Sequence, residues 1–451
     1  MVSSPIVRET WQSRLGFVLA AVGGAVGLGN IWRFPFQTGQ EGGAAFLVVY
    51  LVFILLVGLP AMLVELTVGR RTKRNAVGAL EQTGGKHWRY LGGLFVVVGF
   101  IILSYYSVVS GWVLRYFLGS FTGGYLTGPE AYFESVSTGL DAVVFHAIFM
   151  TVVVAIVAGG VRRGIEAAVR IIVPGIVLLM VALAIYAATL PDVGVAYAYY
   201  LSPDFEVLAR GWRSIVPAAA GQAFFTLSLG MGALLTYASY ISEDRNLLVD
   251  SGAIIVFDTG IAILTGLVVF PILFATGVGA VSPGPGAIFV ALAGAFGGLP
   301  YGRVLGVVFF GAFAMAALSS ALSLMEVIVA YLIDEHDIDR RLAAAGIGGG
   351  VFFLGIPVTM DEVFLELYDR LAAEVLLVVG GLLLAILVGW IVAKDAVDEL
   401  ERGIGDLGRV GSMWIWLVRI PVVVVLLVAL YLAVIGYVEF LQTEFVGSPF
   451  G

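Results

Sequence analysis

The sequence predicts an all-α membrane protein of about eleven transmembrane helices, and three observations carry that prediction. Of 451 residues, 60% are hydrophobic and only 12% are charged, with a mean hydropathy of +1.03. Soluble domains average about 25% charged residues and need them to stay in water. The apolar stretches recur at lengths of about 20 residues, as a helix rising about 1.5 Å per residue needs to cross a core of about 30 Å. Runs such as 171–190 and 422–438 do not alternate, which excludes a closed barrel with its alternating strands of about ten residues.

In chain order the predicted spans are 15–36, 43–68, 91–117, 140–159, 166–189, 214–240, 250–276, 303–332, 342–358, 366–392 and 414–438. The first is not a signal peptide: it holds a Gly-rich interruption and lacks the short apolar core and small-residue cleavage site of one. The stretch 282–298 is too short to cross and reads as a re-entrant or surface hairpin. With the N-terminus inside, 18 of the 24 Lys and Arg residues face the cytoplasm and 6 face out, as the positive-inside rule requires. An odd number of spans then leaves the C-terminus outside. The chain has no cysteine, so thiol catalysis, thiolate metal sites and disulfides are excluded.

Two spans are interrupted. Span 1 carries Gly23-Gly24-Ala25-Val26-Gly27-Leu28-Gly29-Asn30, and span 6 carries Thr226-Leu227-Ser228-Leu229-Gly230-Met231-Gly232. Each mid-helix glycine costs up to about 1 kcal/mol relative to alanine. Either segment alone is compatible with close helix packing through small residues. Their matching positions in two blocks of five spans point further, because a five-span repeat must insert its second copy upside down. Interrupted helices at equivalent places in such halves mark a central binding site. We therefore expect one transmembrane domain over 1–451, with inverted repeats at about 11–190 and 212–393 and an added helix at 414–438.

At these residues the chain resembles the neurotransmitter:sodium symporter family. The resemblance is carried by Trp11-Gln12-Ser13-Arg14-Leu15-Gly16, Gly27-Leu28-Gly29-Asn30-Ile31-Trp32-Arg33-Phe34-Pro35, Gly221-Gln222-Ala223-Phe224-Phe225-Thr226-Leu227-Ser228-Leu229-Gly230, Tyr237-Ala238-Ser239-Tyr240 and Ala316-Ala317-Leu318-Ser319-Ser320. It extends from Trp11 to about Val438, without the twelfth helix of some members. It implies sodium-coupled import by alternating access through the plasma membrane.

The resemblance also implies the site. One sodium would take the Ala25 carbonyl, the side chains of Asn30, Thr226 and Asp258, and the carboxylate of the substrate. A second would take the carbonyls of Gly23, Val26 and Ala316 and the hydroxyls of Ser319 and Ser320. These are hard oxygen ligands, suited to a small hard cation. The substrate carboxylate would meet the amides of Leu28 and Gly29 and the Tyr106 hydroxyl, near Gly24 and Ala25. Its amino group would face carbonyls near Ala25, Phe225 and Thr226, and its side chain would lie among Ile102, Phe225, Ser228, Met231, Ser320 and Leu324. Arg33 with Asp369 would form the outer gate, and Arg8 with Asp334 the inner one, braced by Trp11 and Tyr240.

Departures within the motifs narrow the expectation. Gly27 stands where monoamine carriers of the family place an aspartate, so an amino acid fits and a monoamine does not; Met231 and its neighbours favour a neutral, hydrophobic one. Asp258 stands where many members have asparagine, and Ala262 removes a donor from the chloride site that would include Tyr50 and Gln222. A fixed carboxylate there predicts independence from chloride. No phosphate loop, nucleophile–base pair or metal-ligand spacing supports a pump or an enzyme. An amino-acid sensor without turnover is the alternative. Neither nucleic acid nor an obligate protein partner is expected.

Overall fold

The computed structural model describes residues 10–277 and 286–448, and every regular element among them is a helix. Eight helices are long and apolar enough to cross a bilayer: Ala44–Thr72, Lys86–Thr122, Gly139–Ala158, Val161–Ala187, Leu247–Ala275, Gly302–His336, Glu362–Ile391 and Arg409–Phe445. These are spans 2, 3, 4, 5, 7, 8, 10 and 11 of the sequence. Span 1 is the pair Arg14–Ala25 and Gly29–Gln40, bent by 50° at its break. Span 6 falls on Phe205–Thr226 and Ala233–Ala238, and span 9 on Arg340–Gly355. The eleven expected spans are consistent with this arrangement, with both broken helices where the glycines lie. Residues 287–298 form a short apolar helix, Ala287–Gly298; 282–285 of the expected hairpin lie outside the described residues.

The turns between spans start helices by ordinary capping. Ser13 accepts from the Gly16 amide at 3.0 Å to start span 1. Asp204, Asn246, Asp339 and Asp361 likewise cap spans 6, 7, 9 and 10, which satisfies donors that the first helical turn leaves unpaired. Inside the bundle, small residues let backbones approach. A Cβ on Gly69 of span 2 would stand 2.0 Å from the Leu235 carbonyl of span 6, so only glycine permits that crossing. Spans 3 and 8 form the centre, each with 67% of its most apolar stretch buried. Span 11 lies at the edge, tied to span 2 by Trp414 Nε1 donating to the Pro60 carbonyl at 3.1 Å.

Candidate functional site

The break in span 1 turns the C-terminal carbonyls of one half-helix and the N-terminal amides of the other toward the same place. Half-helix ends of opposite polarity then attract cations and anions respectively. Span 6 breaks opposite it, where Ser228, Gly230 and Gly232 take φ of +52°, +82° and +74°. Ser228 is held in this left-handed conformation with its hydroxyl donating to the Gly24 carbonyl at 3.1 Å.

Between the breaks lies a cavity of about 30 Å³, lined by Gly24, Ala25, Gly27, Leu28, Gly29, Ile102, Tyr106, Phe225, Ser228, Met231, Ser320 and Leu324. Every residue assigned to the substrate from sequence is on this wall except Thr226, which stands behind it. The Leu28 amide donates to the Tyr106 hydroxyl at 3.3 Å. A Cβ on Gly27 would lie 2.3 Å from Ser320 Oγ and 2.7 Å from the Tyr106 oxygen, so any side chain here would have to displace both hydroxyls.

The two expected cation positions flank this cavity as clusters of buried oxygens. In the first, Asn30 Nδ2 donates to Asp258 Oδ1 at 2.8 Å, and Thr226 Oγ1 donates to Asp258 Oδ2 at 3.2 Å. Asp258 is fully buried with no cation among these partners, and an uncompensated carboxylate in such a place is expensive. Gln222 Nε2 donates to the Gly29 carbonyl at 2.9 Å while its Oε1 has no hydrogen bond; Tyr50 faces Asp258 from the same side. In the second cluster, Ser319 Oγ donates to the Gly23 carbonyl at 2.6 Å and to that of Ala316 at 3.3 Å. Ser320 Oγ reaches the Val26 and Gly24 carbonyls, both at 3.1 Å. All five groups named from sequence thus converge, and they are neutral, hard oxygens.

An outer vestibule of about 260 Å³ opens above, with Leu28, Tyr106 and Phe225 shared between it and the central cavity. Arg33 lies 4.7 Å from the Phe225 ring centre. In this structure the two expected gate partners, Arg33 and Asp369, are not paired with each other. Arg33 Nη2 pairs with Glu374 at 3.4 Å, whereas Asp369 accepts from the Tyr105 hydroxyl at 2.7 Å. The cause is a π-helical turn over Arg370–Leu376, directly after Asp369. On the inner side, Arg8 lies outside the described residues. Asp334 accepts from the Asn75 amide at 3.0 Å. Trp11 Nε1 donates to the Tyr237 carbonyl at 3.0 Å and its ring meets Tyr240 edge-on at 6.1 Å.

Sequence reasoning missed three carboxylates. Glu374 is one. Glu326 of span 8, fully buried, accepts from Tyr240 at 2.8 Å and from both Arg340 guanidinium nitrogens at 2.7 and 3.0 Å. Glu65 of span 2 accepts from the Gly230 amide at 2.7 Å and the Leu235 amide at 3.3 Å, so it holds the break in span 6. An ionisable residue in mid-span was the available signal.

A sequence profile of the sodium:neurotransmitter symporter family matches residues 8–127 and 137–446. The chain belongs to that family. Its members are transporters, not enzymes, so this symporter-family chain is a multi-pass, sodium-dependent membrane protein. It is 34% identical to an uncharacterized sodium-dependent transporter of Methanocaldococcus jannaschii, over 94% of this chain and 90% of that one. It is 30% identical to the sodium-dependent neutral amino acid transporter B(0)AT2 of Bos taurus, over 59% of this chain and 41% of that protein. The crystal structure of MhsT in complex with L-phenylalanine matches the fold with a TM-score of 0.86 and 40% identity, covering 94% of this chain and 99% of MhsT.

Proposed function

We propose that this symporter imports a neutral, hydrophobic amino acid together with sodium, by alternating access across the plasma membrane with its N-terminus inside. The observation that carries the reading is the composition of the central wall. The Leu28 and Gly29 amides and the Tyr106 hydroxyl share it with the apolar side chains of Ile102, Phe225, Met231 and Leu324. That is a polar clamp for a carboxylate beside an apolar socket for a side chain. The phenylalanine complex of MhsT and the neutral amino-acid specificity named for B(0)AT2 support the same class.

Two sodium ions travel with the substrate. One joins Asn30, Thr226, Asp258 and the Ala25 carbonyl to the substrate carboxylate, so that each ligand stabilises the other's binding. The other bridges spans 1 and 8 at Gly23, Val26, Ala316, Ser319 and Ser320. Asp258 supplies the negative charge that chloride would otherwise bring, and Ala262 offers no donor to an anion.

The test is binding and uptake of the twenty amino acids by purified protein in liposomes, in sodium and in potassium, with chloride or gluconate as the anion. Sodium-dependent uptake of one neutral subset, equal in both anions, is the expected result. Binding without uptake would replace transport by sensing. Strict need for chloride would overturn the role given to Asp258, and no binding of any amino acid would overturn the substrate class.

A further inference from the structure

The outer vestibule holds more negative groups than its cations can pair. Arg370 is engaged by Glu366 at 3.2 Å and lies 4.8 Å from the Phe440 ring centre. Arg33 is engaged by Glu374. Asp369 has the Tyr105 hydroxyl as its partner instead of a cation. Asp369, Glu374 and Arg33 nevertheless line the same vestibule. Helix geometry explains why. In an α-helix, at 3.6 residues per turn, position 374 would be rotated about 140° from position 369. The π-helical turn over Arg370–Leu376 bonds i to i+5, so that a residue five positions on comes round over the first. The inserted turn therefore presents two carboxylates to one arginine.

We propose that Glu374 is a positioning residue of the outer gate, holding Arg33 away from Asp369 until substrate closes the vestibule and the arginine changes partner. This rests on the transport reading above. Three features fit such an exchange. The Arg33–Glu374 contact is long and both side chains are partly exposed, at 19% and 32%, so the pair is weak enough to break. Asp369 is kept oriented by a neutral hydroxyl, which yields to a guanidinium at little cost. Phe225, the lid shared by the two cavities, lies under the same guanidinium, so a move of Arg33 acts on the lid directly. Arg33 and Glu374 also line together a side cavity of about 240 Å³ between spans 1, 6, 10 and 11, so their contact sits at the boundary of two spaces.

The absence of native cysteine makes the test direct. Phe36→Cys puts one thiol in the vestibule, and its rate of reaction with a charged, membrane-impermeant methanethiosulfonate reports whether the gate is open. In sodium without amino acid, E374Q slows that reaction about fivefold, and lowers the KM for uptake by a similar factor, because a weak ion pair no longer favours the open gate. Glu374→Asp restores the parental rate. D369N has the opposite sign, raising KM. Should E374Q fail to fold, Tyr105→Phe decides, since freeing Asp369 slows the reaction with Glu374 intact. An unchanged reaction rate in the variants, or a KM raised by E374Q as by D369N, overturns the proposal. Failure of the transport reading is distinct: no amino acid would then alter the thiol's reactivity in the parent, while the difference between parent and E374Q in sodium alone would persist.

Discussion

At the scale of single residues, the site is decided by what has no side chain. A Cβ at Gly27 would collide with two hydroxyls, and overpacking of this kind costs about 1–3 kcal/mol. Gly27→Ala is therefore expected to lower sodium-dependent amino-acid affinity about tenfold or more. Gly221, on span 6, has open space for a Cβ, and Gly221→Ala is the matched control, expected to stay within about twofold because exposed or open sites respond little. Equilibrium binding of the preferred amino acid reads both. Ser319 gives the complementary case. Its hydroxyl touches two of the carbonyls of the second oxygen cluster, and Ser319→Ala removes one hard ligand. The sodium concentration for half-maximal binding should rise about tenfold, as loss of a hydrogen-bonding or ligating group worth about 1.5 kcal/mol implies.

At the scale of elements, the two broken helices are kept in shape by different means. Span 1 is held by side chains of span 8, through Ser319 and Ser320. Span 6 is held by Glu65, whose carboxylate takes the Gly230 and Leu235 amides. Glu65→Ala leaves two buried donors without an acceptor, at about 1–3 kcal/mol each, and should lower the thermal midpoint in detergent by several degrees. Glu65→Gln retains one acceptor and should fall between. The breaks themselves were legible because the two glycine-rich segments occur at equivalent spans, whereas either alone is compatible with close helix packing. Glu65 was not legible as their support, since its partners lie 165 and 170 positions away and nothing local in span 2 announces them. Glu374 escaped for another reason. The resemblance assigns the gate carboxylate to Asp369, and a π-turn that brings a second carboxylate alongside is invisible to a period of 3.6 residues. Ser319, Ser320 and Asn30 were legible because they stand in the motifs that carry the family resemblance.

At the scale of the whole molecule, the face opposite the vestibule is fastened by buried ion pairs. Glu326 sits under Arg340 and Tyr240, joining spans 8, 9 and 6. Arg70 is fully buried against Glu399, 2.6 Å away, joining span 2 to the helix Ala393–Glu401 that follows span 10. Removing one member of such a pair costs about 3–5 kcal/mol, largely from the charge left behind. Arg340→Ala should accordingly destabilise more than Arg340→Ala combined with Glu326→Ala, and a double-mutant cycle on the unfolding midpoint measures the difference.

Span 11 stands apart from this economy of contacts. Only 17% of its most apolar stretch is buried by protein, against 67% for spans 3 and 8. The rest of that stretch faces away from the bundle, where the hydrocarbon of a bilayer would pack against it. Its fit to the surroundings then depends on hydrocarbon thickness, with a penalty of fractions of a kcal/mol per Å of mismatch. The rim of the bundle will feel a thin micelle before the centre does, and the wall it shares with span 10, where Glu374 and the side cavity lie, is the part of the gate most open to the choice of lipid.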